Sequence, residues 1–369
     1  MLPEHVIISL LDFYIGTKRI SMPPKTERKE FTEQPKTIKP DIPVAPVNTH
    51  TSSAIEDENI AQPESDKTYY DRSAEIWKKD YKSGEYAEAI KKYKELFNGA
   101  KENNASDEEL ADILSNWAWP QYYFDKNKKT ENGETKPATA YNLAMQGIEK
   151  IKDLEEPKHD SMRSLFYLVA GLTKAYVVKE KGPDVETLFN QSLEWAKKSK
   201  DDERIGAATN GYGLYLVYEE RYQEAIPHFD RAAEIQNKQG NKREAGHAHN
   251  NLAKCYNQIG FNTSDRDERA NLFKEAINEA DKALKLYNSD NDIDHFLSAG
   301  YRKSQSHMAL GQFTEALKIY DSNIAIITNH PTLSKKHKEE KIKQQKNNIE
   351  KITTTTDEDV KNTGVIYEA

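Results

Sequence analysis

Gly206 to Ala232 reads G-A-A-T-N-G-Y-G-L-Y-L-V-Y-E-E-R-Y-Q-E-A-I-P-H-F-D-R-A. A second copy opens at Gly246 with G-H-A-H-N-N-L-A-K-C-Y-N-Q-I-G and closes on F-K-E-A-I-N-E-A-D-K-A, Phe273 to Ala283. From Gly206 to Gly246 is a period of 40 residues (246 − 206). A helix pair of this size leaves an apolar face open unless a neighbour covers it, so the period predicts a stacked helical array.

The same signature recurs on either side. Gly84–Phe97 reads G-E-Y-A-E-A-I-K-K-Y-K-E-L-F, and Gly311–Tyr320 reads G-Q-F-T-E-A-L-K-I-Y. In each, as in Tyr222–Phe229, an aromatic is followed three residues on by alanine and four later by another aromatic. The small Ala89, Ala225 and Ala316 let two helices approach closely while the aromatics fill the space beside them. Upstream, Tyr70, Ala74, Trp77 and Tyr81 recur at helical spacing.

The pattern resembles the tetratricopeptide repeat. Asn250-Asn251-Leu252-Ala253 and Tyr212-Gly213 stand where that family carries the leucine-glycine pair of its first helix. The 40-residue spacing is similar to the longer variant of kinesin light chains and bacterial peptide-receptor solenoids. The resemblance covers roughly Lys67 to His330. It implies an all-α, right-handed α-solenoid of about six helix pairs with a C-terminal capping helix.

Two units are irregular. In the second, about Ser106 to Leu154, the first helix runs into Pro120 and the aromatic run Gln121-Tyr122-Tyr123-Phe124, with a polar loop expected from Asp125 to Lys136. The aromatics between Trp117 and Phe124 read as core or as a ligand-gripping patch. The third pairs Met162–Val178 with Val185–Ala196, Pro183 opening its second helix. Pro227 lies within a helix, where a local bend is expected.

The fifth unit carries an insertion. Tyr222 to Phe273 is 51 residues (273 − 222), 11 more than the period. Ser264 with Asp267, or Asp265 with Glu268, offers N-cap chemistry, so the extra residues read as added turns on the second helix. After Pro331, residues 331–352 form a charged segment with Leu333, Ile342, Ile349 and Ile352 as its apolar positions. That suits a terminal cap with one dry stripe. Its lysines interleave with Glu339, Glu340 and Glu350, which favours a solvated face over a basic contact site.

The ends read as unpacked. Seven of the fourteen prolines fall between Pro23 and Pro63, so residues 1–66 are expected to be a disordered extension, as are 353–369. Pro40, Pro43 and Pro46 form an overlapping PxxP ladder, either a stiff tether or a ligand for an SH3-like partner. Met22-Pro23-Pro24-Lys25 reads as an alternative start to Met1. Val6–Leu11 is too short to span a bilayer and no cleavage site follows it, which predicts a cytoplasmic protein with no membrane partner.

Hydrophobic residues make up 36% and charged residues 31%, a balance that fits a thin array better than one large core. Net charge is −8, so no global basic field points to nucleic acid. Cys255 is the only cysteine, which excludes an internal disulfide and all-cysteine metal cages. No phosphate-cradling glycine loop, nucleophile elbow or zinc-protease motif occurs, so no catalytic residue, cofactor or metal ligand is assigned. His247, His249, Cys255 and His295 form a metal site only by an accident of packing.

In solenoids of this kind the inner wall is built from first-helix faces. On that geometry Asn210 and Leu214, then His247, Asn250, Lys254 and Asn257, then Tyr301 and Gln305, turn toward the groove. Amides carry both a donor and an acceptor and can pair with the backbone of an extended peptide. The alternative is amides merely solvated on a concave surface. Lys254 stands nearly alone as a cation, which departs from the two-carboxylate clamp of chaperone-binding relatives. The expected function is a non-catalytic scaffold or adaptor binding a peptide or protein partner. A peptide-responsive sensor and a non-catalytic subunit of an enzyme complex are the alternatives.

Overall fold

The computed structural model describes residues 67–81, 85–128, 138–290 and 292–362. The Pro-rich stretch with its PxxP ladder, the alternative start at Met22, residues 129–137 and residues 363–369 lie outside the described residues.

Among the described residues the chain forms thirteen α-helices and no strand. They are α1 (Tyr69–Ile76, continued by a π-helical turn, Trp77–Tyr81), α2 (Tyr86–Glu102), α3 (Asp107–Asn127) and α4 (Thr139–Lys150). Next come α5 (Pro157–Leu172, continued as π-helix over Thr173–Val178), α6 (Pro183–Ser199), α7 (Asp202–Tyr218) and α8 (Tyr222–Lys238). The series ends with α9 (Lys242–Asn262), α10 (Arg266–Leu286), α11 (Ile293–Ala309), α12 (Phe313–Asn329) and α13 (Lys335–Asn362).

Local chemistry sets many of the starts. Thr68 with Asp71 and Ser106 with Glu109 form reciprocal capping boxes. Asp201 accepts from the N–H groups of Glu203 and Arg204, and Asp265 from that of Glu268. Proline opens α5 and α6, where its missing N–H costs nothing.

Each helix packs on the next, and the first helices of successive pairs also touch: α1 on α3, α3 on α5, α5 on α7 and α9 on α11. That pattern makes an all-α solenoid, with every pair covering its neighbour's apolar side. Within a pair the close approach is made by small residues. Ala89, Ala225 and Ala316 have no exposed surface, and Tyr93, Phe229 and Tyr320 are buried beside them. Gly213 faces Phe229 so closely that an added Cβ would lie 2.8 Å from the ring.

Three features differ from the sequence reading. Pro120 does not end its helix, because α3 continues to Asn127. Beyond the proline the segment is held by buried Tyr122 and by Asp125, whose carboxylate accepts from Gln121 Nε2 at 2.8 Å and from the Ala140 N–H at 3.1 Å. The insertion lengthens both helices of the fifth pair rather than one. α9 and α10 have 21 residues each, against 17 in α7, α8, α11 and α12. The last helix extends past Ile352 to Asn362, through the start of the expected tail.

α13 lies on α12 and closes the stack. Leu333 and Ile342 pack with Ile293, Leu297 and Ile327, and Ile349 and Ile352 pack with Ala316 and Tyr320.

Candidate functional site

The first helices form a wall that is continuous except at one seam. α7 and α9 meet over a short stretch, where Asn251 Nδ2 donates to Asn210 Oδ1 at 3.4 Å. Toward their N-termini a cavity of about 520 Å³ opens. Asn210 and Ala207 of α7, Ala232 and Gln236 of α8 and the first turn of α9 line it. Trp77, from the π-helical turn after α1, closes it from the other side. The first pair thus stands opposite the fourth and fifth.

Gln236 is the best-placed polar group in the cavity. Its side chain reaches over Gly206, where a Cβ would stand 2.5 Å from Nε2, so a larger residue there would displace it. Its Oε1 accepts from Asn241 Nδ2 at 2.9 Å. Around the mouth, Arg243 Nε pairs with Asp292 at 2.8 Å and Glu244 lies 3.4 Å from His247 Nδ1. That contact with His247 holds the Glu244 carboxyl below the usual carboxylate range. Glu203 and Lys242 are exposed.

Behind Glu244, the rings of His247 and His295 lie 4.1 Å apart, with Tyr287 5.6 and 5.7 Å from them. Burial, then the neighbouring His247 and Arg243, pushes the His295 imidazole down to about 3, so it is uncharged at neutral pH. The His247 and His295 rings pack against each other between α9 and α11.

The residues expected in a groove are dispersed over several settings. Asn210 lines the cavity, and Leu214 is half-buried in the cluster joining α7, α8 and α9. His247 is half-buried in the ring cluster just described, and Lys254 and Gln305 are half-buried on the wall. Asn250 donates to Ser298 Oγ at 3.2 Å, tying α9 to α11.

Asn257 requires correction: it is 1% exposed, donates to the Arg302 carbonyl at 3.0 Å and accepts from Ser306 Oγ at 2.7 Å. It fastens α9 to α11 instead of facing a groove, because the sixth pair packs across that side of α9. Tyr301 likewise packs against the Ala316, Tyr320 and Ile352 cluster beneath α13.

The aromatic run divides. Tyr122 is core and Trp117 packs on Phe97, whereas Tyr123 stacks on both Tyr86 (5.4 Å) and Trp119 (6.1 Å) and Phe124 is 39% exposed. Cys255 is fully buried, and burial pushes its thiol up to about 12, which removes it as a nucleophile. Among the described residues no three His, Cys, Asp or Glu side chains converge to hold a metal. No described helix is long and apolar enough to cross a membrane.

Sequence reasoning missed Trp77 as a wall residue, and with it Gln236 and Arg243. Trp77 reads as one more apolar position on a helical stripe, and nothing local announces that the array brings it opposite α9.

No family model and no curated protein matches the chain. Solved structures resemble it, among them these two. One is a Rap protein complexed with competence and sporulation factor: 18% identity, TM-score 0.43, covering 78% of this chain and 74% of that one. The other is BtubC (BKLC) from P. vanneervenii: 13% identity, TM-score 0.46, covering 73% and 96%. At such scores the helical-repeat architecture rests on the helices and their packing described above.

Proposed function

We infer that the chain is a non-catalytic interaction scaffold of the tetratricopeptide type, and that the seam between α7 and α9 is where an extended peptide or protein segment docks. The observation that carries this reading is the cavity itself. It sets an indole, Trp77, opposite three amides, Asn210, Gln236 and Asn241. An aromatic face gives apolar contact to any side chain. Amides pair with peptide backbone whatever the sequence, because each offers a donor and an acceptor. Asn251 continues the amide row along α9 from Asn210.

The test is a peptide-library selection on the full chain, followed by calorimetry on the selected peptides. Asn210→Ala combined with Asn251→Ala should weaken binding at least tenfold while leaving the thermal unfolding profile intact. Equal affinity in the double variant would refute the seam as the docking site.

A further inference from the structure

Resting on that reading, we propose that α1 is a gate to the seam, setting Trp77 onto the cavity or releasing it according to whether the Asp112 carboxyl carries a proton. The wall that Trp77 forms belongs to the shortest α-helix among the described residues. α1 has eight residues and rests on α2 and α3. Its apolar hold is slight: Tyr69 and Ile76 reach the cluster of Tyr93, Leu110 and Ile113, and both stay partly exposed.

The one fully buried residue of α1 is Ser73. Its hydroxyl accepts from Asn116 Nδ2 at 2.9 Å and donates to the Asp112 carboxyl, and its carbonyl accepts from Tyr93 Oη at 3.0 Å. The centre of the docked face is therefore a hydroxyl on a carboxyl, not a large apolar side chain, and such a contact responds to charge. Trp77 follows Ser73 by four residues (77 − 73), about one helical turn, and begins the π-helical continuation. π-Helical turns recur at functional sites. Whatever frees Ser73 frees the indole, and the cavity then loses the wall opposite α7 and α9.

The groups around Asp112 make its negative charge costly. Tyr70 of α1 and Tyr93 of α2 face it, Glu108 and Glu109 lie on its own helix, and Asp80 stands beyond Tyr93. Lys92 is held by Asp80 at 2.9 Å and Lys158 by Glu108 at 2.7 Å, so both lysines are engaged by other carboxylates; His159 Nε2 also stands 3.4 Å from Glu108. Burial raises the Asp112 carboxyl to about 6, Ser73 and Asn116 oppose the rise, and Glu108 adds to it. With the docked value raised, α1 docks best with the proton on and loosens as pH rises through 6. Undocking returns Asp112 to the ordinary aspartate range, so docking is about tenfold weaker at pH 7.5 than at pH 5.

The experiment uses the full-length chain with 5-fluorotryptophan in place of tryptophan, the Trp77 signal being assigned by Trp77→Phe. Amide hydrogen exchange, corrected for intrinsic rates, should show protection of α1 falling about tenfold from pH 5 to pH 7.5, with α7 and α8 unchanged. A soluble gadolinium chelate should broaden the Trp77 fluorine line more strongly at the higher pH. Asp112→Asn keeps the shape and removes the charge, and should hold both readouts at their low-pH values throughout.

Protection that falls equally in Asp112→Asn, or a Trp77 line broadened alike at both pH values, overturns the proposal. Neither readout involves a peptide, so they distinguish failure of the gate from failure of the docking site, which Asn210→Ala with Asn251→Ala tests. A peptide selected on the seam should also dissociate faster at the higher pH, and Asp112→Asn should remove the difference. No difference in the wild type, or one that survives in Asp112→Asn, overturns the gate as well.

Discussion

Glu220 adopts a left-handed backbone, φ 62°, in the turn between α7 and α8. The equivalent turn between α11 and α12 uses Gly311, φ 74°. A residue with a Cβ is strained by about 1–2 kcal/mol in that region, and glycine returns part of the gain through its freer unfolded chain. Glu220→Gly should therefore stabilise the protein by about 0.5–1 kcal/mol, read as a higher urea midpoint at constant slope.

Asp112 is the second informative residue. Burial raises its carboxyl to about 6, well above the usual aspartate range, against hydrogen bonds from Ser73 and Asn116 that favour the charged form. The folded state thus holds the proton more tightly than the unfolded state does. Its stabilising contribution is full below pH 4 and is lost as pH rises through 6. Asp112→Asn should raise stability at pH 7.5 by on the order of 1–2 kcal/mol and have little effect near pH 4, as paired thermal melts would reveal.

At the scale of the helix, the recurring alanine decides how closely two helices approach. Ala225 has no exposed surface and sits with Leu216, Phe229 and Leu252 in the cluster joining α7, α8 and α9. Ala225→Leu should cost about 1–3 kcal/mol by overpacking. A wild-type denaturation midpoint in that variant would mean the contact is looser than described. Helix length is set differently. α3 runs through Pro120 because tertiary contacts at Tyr122 and Asp125 outweigh the one lost backbone bond. α9 and α10 are each four residues longer than the 17-residue helices beside them (21 − 17), which adds about 6 Å of rise to that pair.

Across the whole molecule, stability is close to a sum over neighbouring pairs, so the ends matter as much as the middle. α13 supplies the last neighbour: Ile352, 1% exposed, fills the space beside Tyr320, and Asn323 Nδ2 donates to buried Gln345 Oε1 at 3.1 Å. Ile352→Ala should cost about 2–4 kcal/mol. Because the array is quasi-one-dimensional, the loss should fall on α12 and α13. Hydrogen exchange should quicken there and stay unchanged in α3 to α6; uniform acceleration would instead indicate a single cooperative core.

The helical repeat, the pairing of its helices and the dry stripe of the last one were legible in the chain; of the starts only Asp265 with Glu268 and Pro183 were read, and the run through Pro120 and the lengths of α9 and α10 were not. Helical periodicity, N-cap residues and the aromatic–alanine–aromatic spacing are local facts, carried by residues within a few positions of one another. The proposed docking surface was legible only in part. Asn210 and His247 could be placed by counting around a helix, but Asn257, on the same stripe as His247, is covered by α11. A helical count finds a face without saying which neighbour covers it. Trp77 and Gln236 become one site only through the stacking of the intervening pairs, since the path of the array depends on small rotations summed from pair to pair. The repeat unit was therefore decided by sequence alone. Where its open face lies, and which distant residue stands across from it, was decided by tertiary packing.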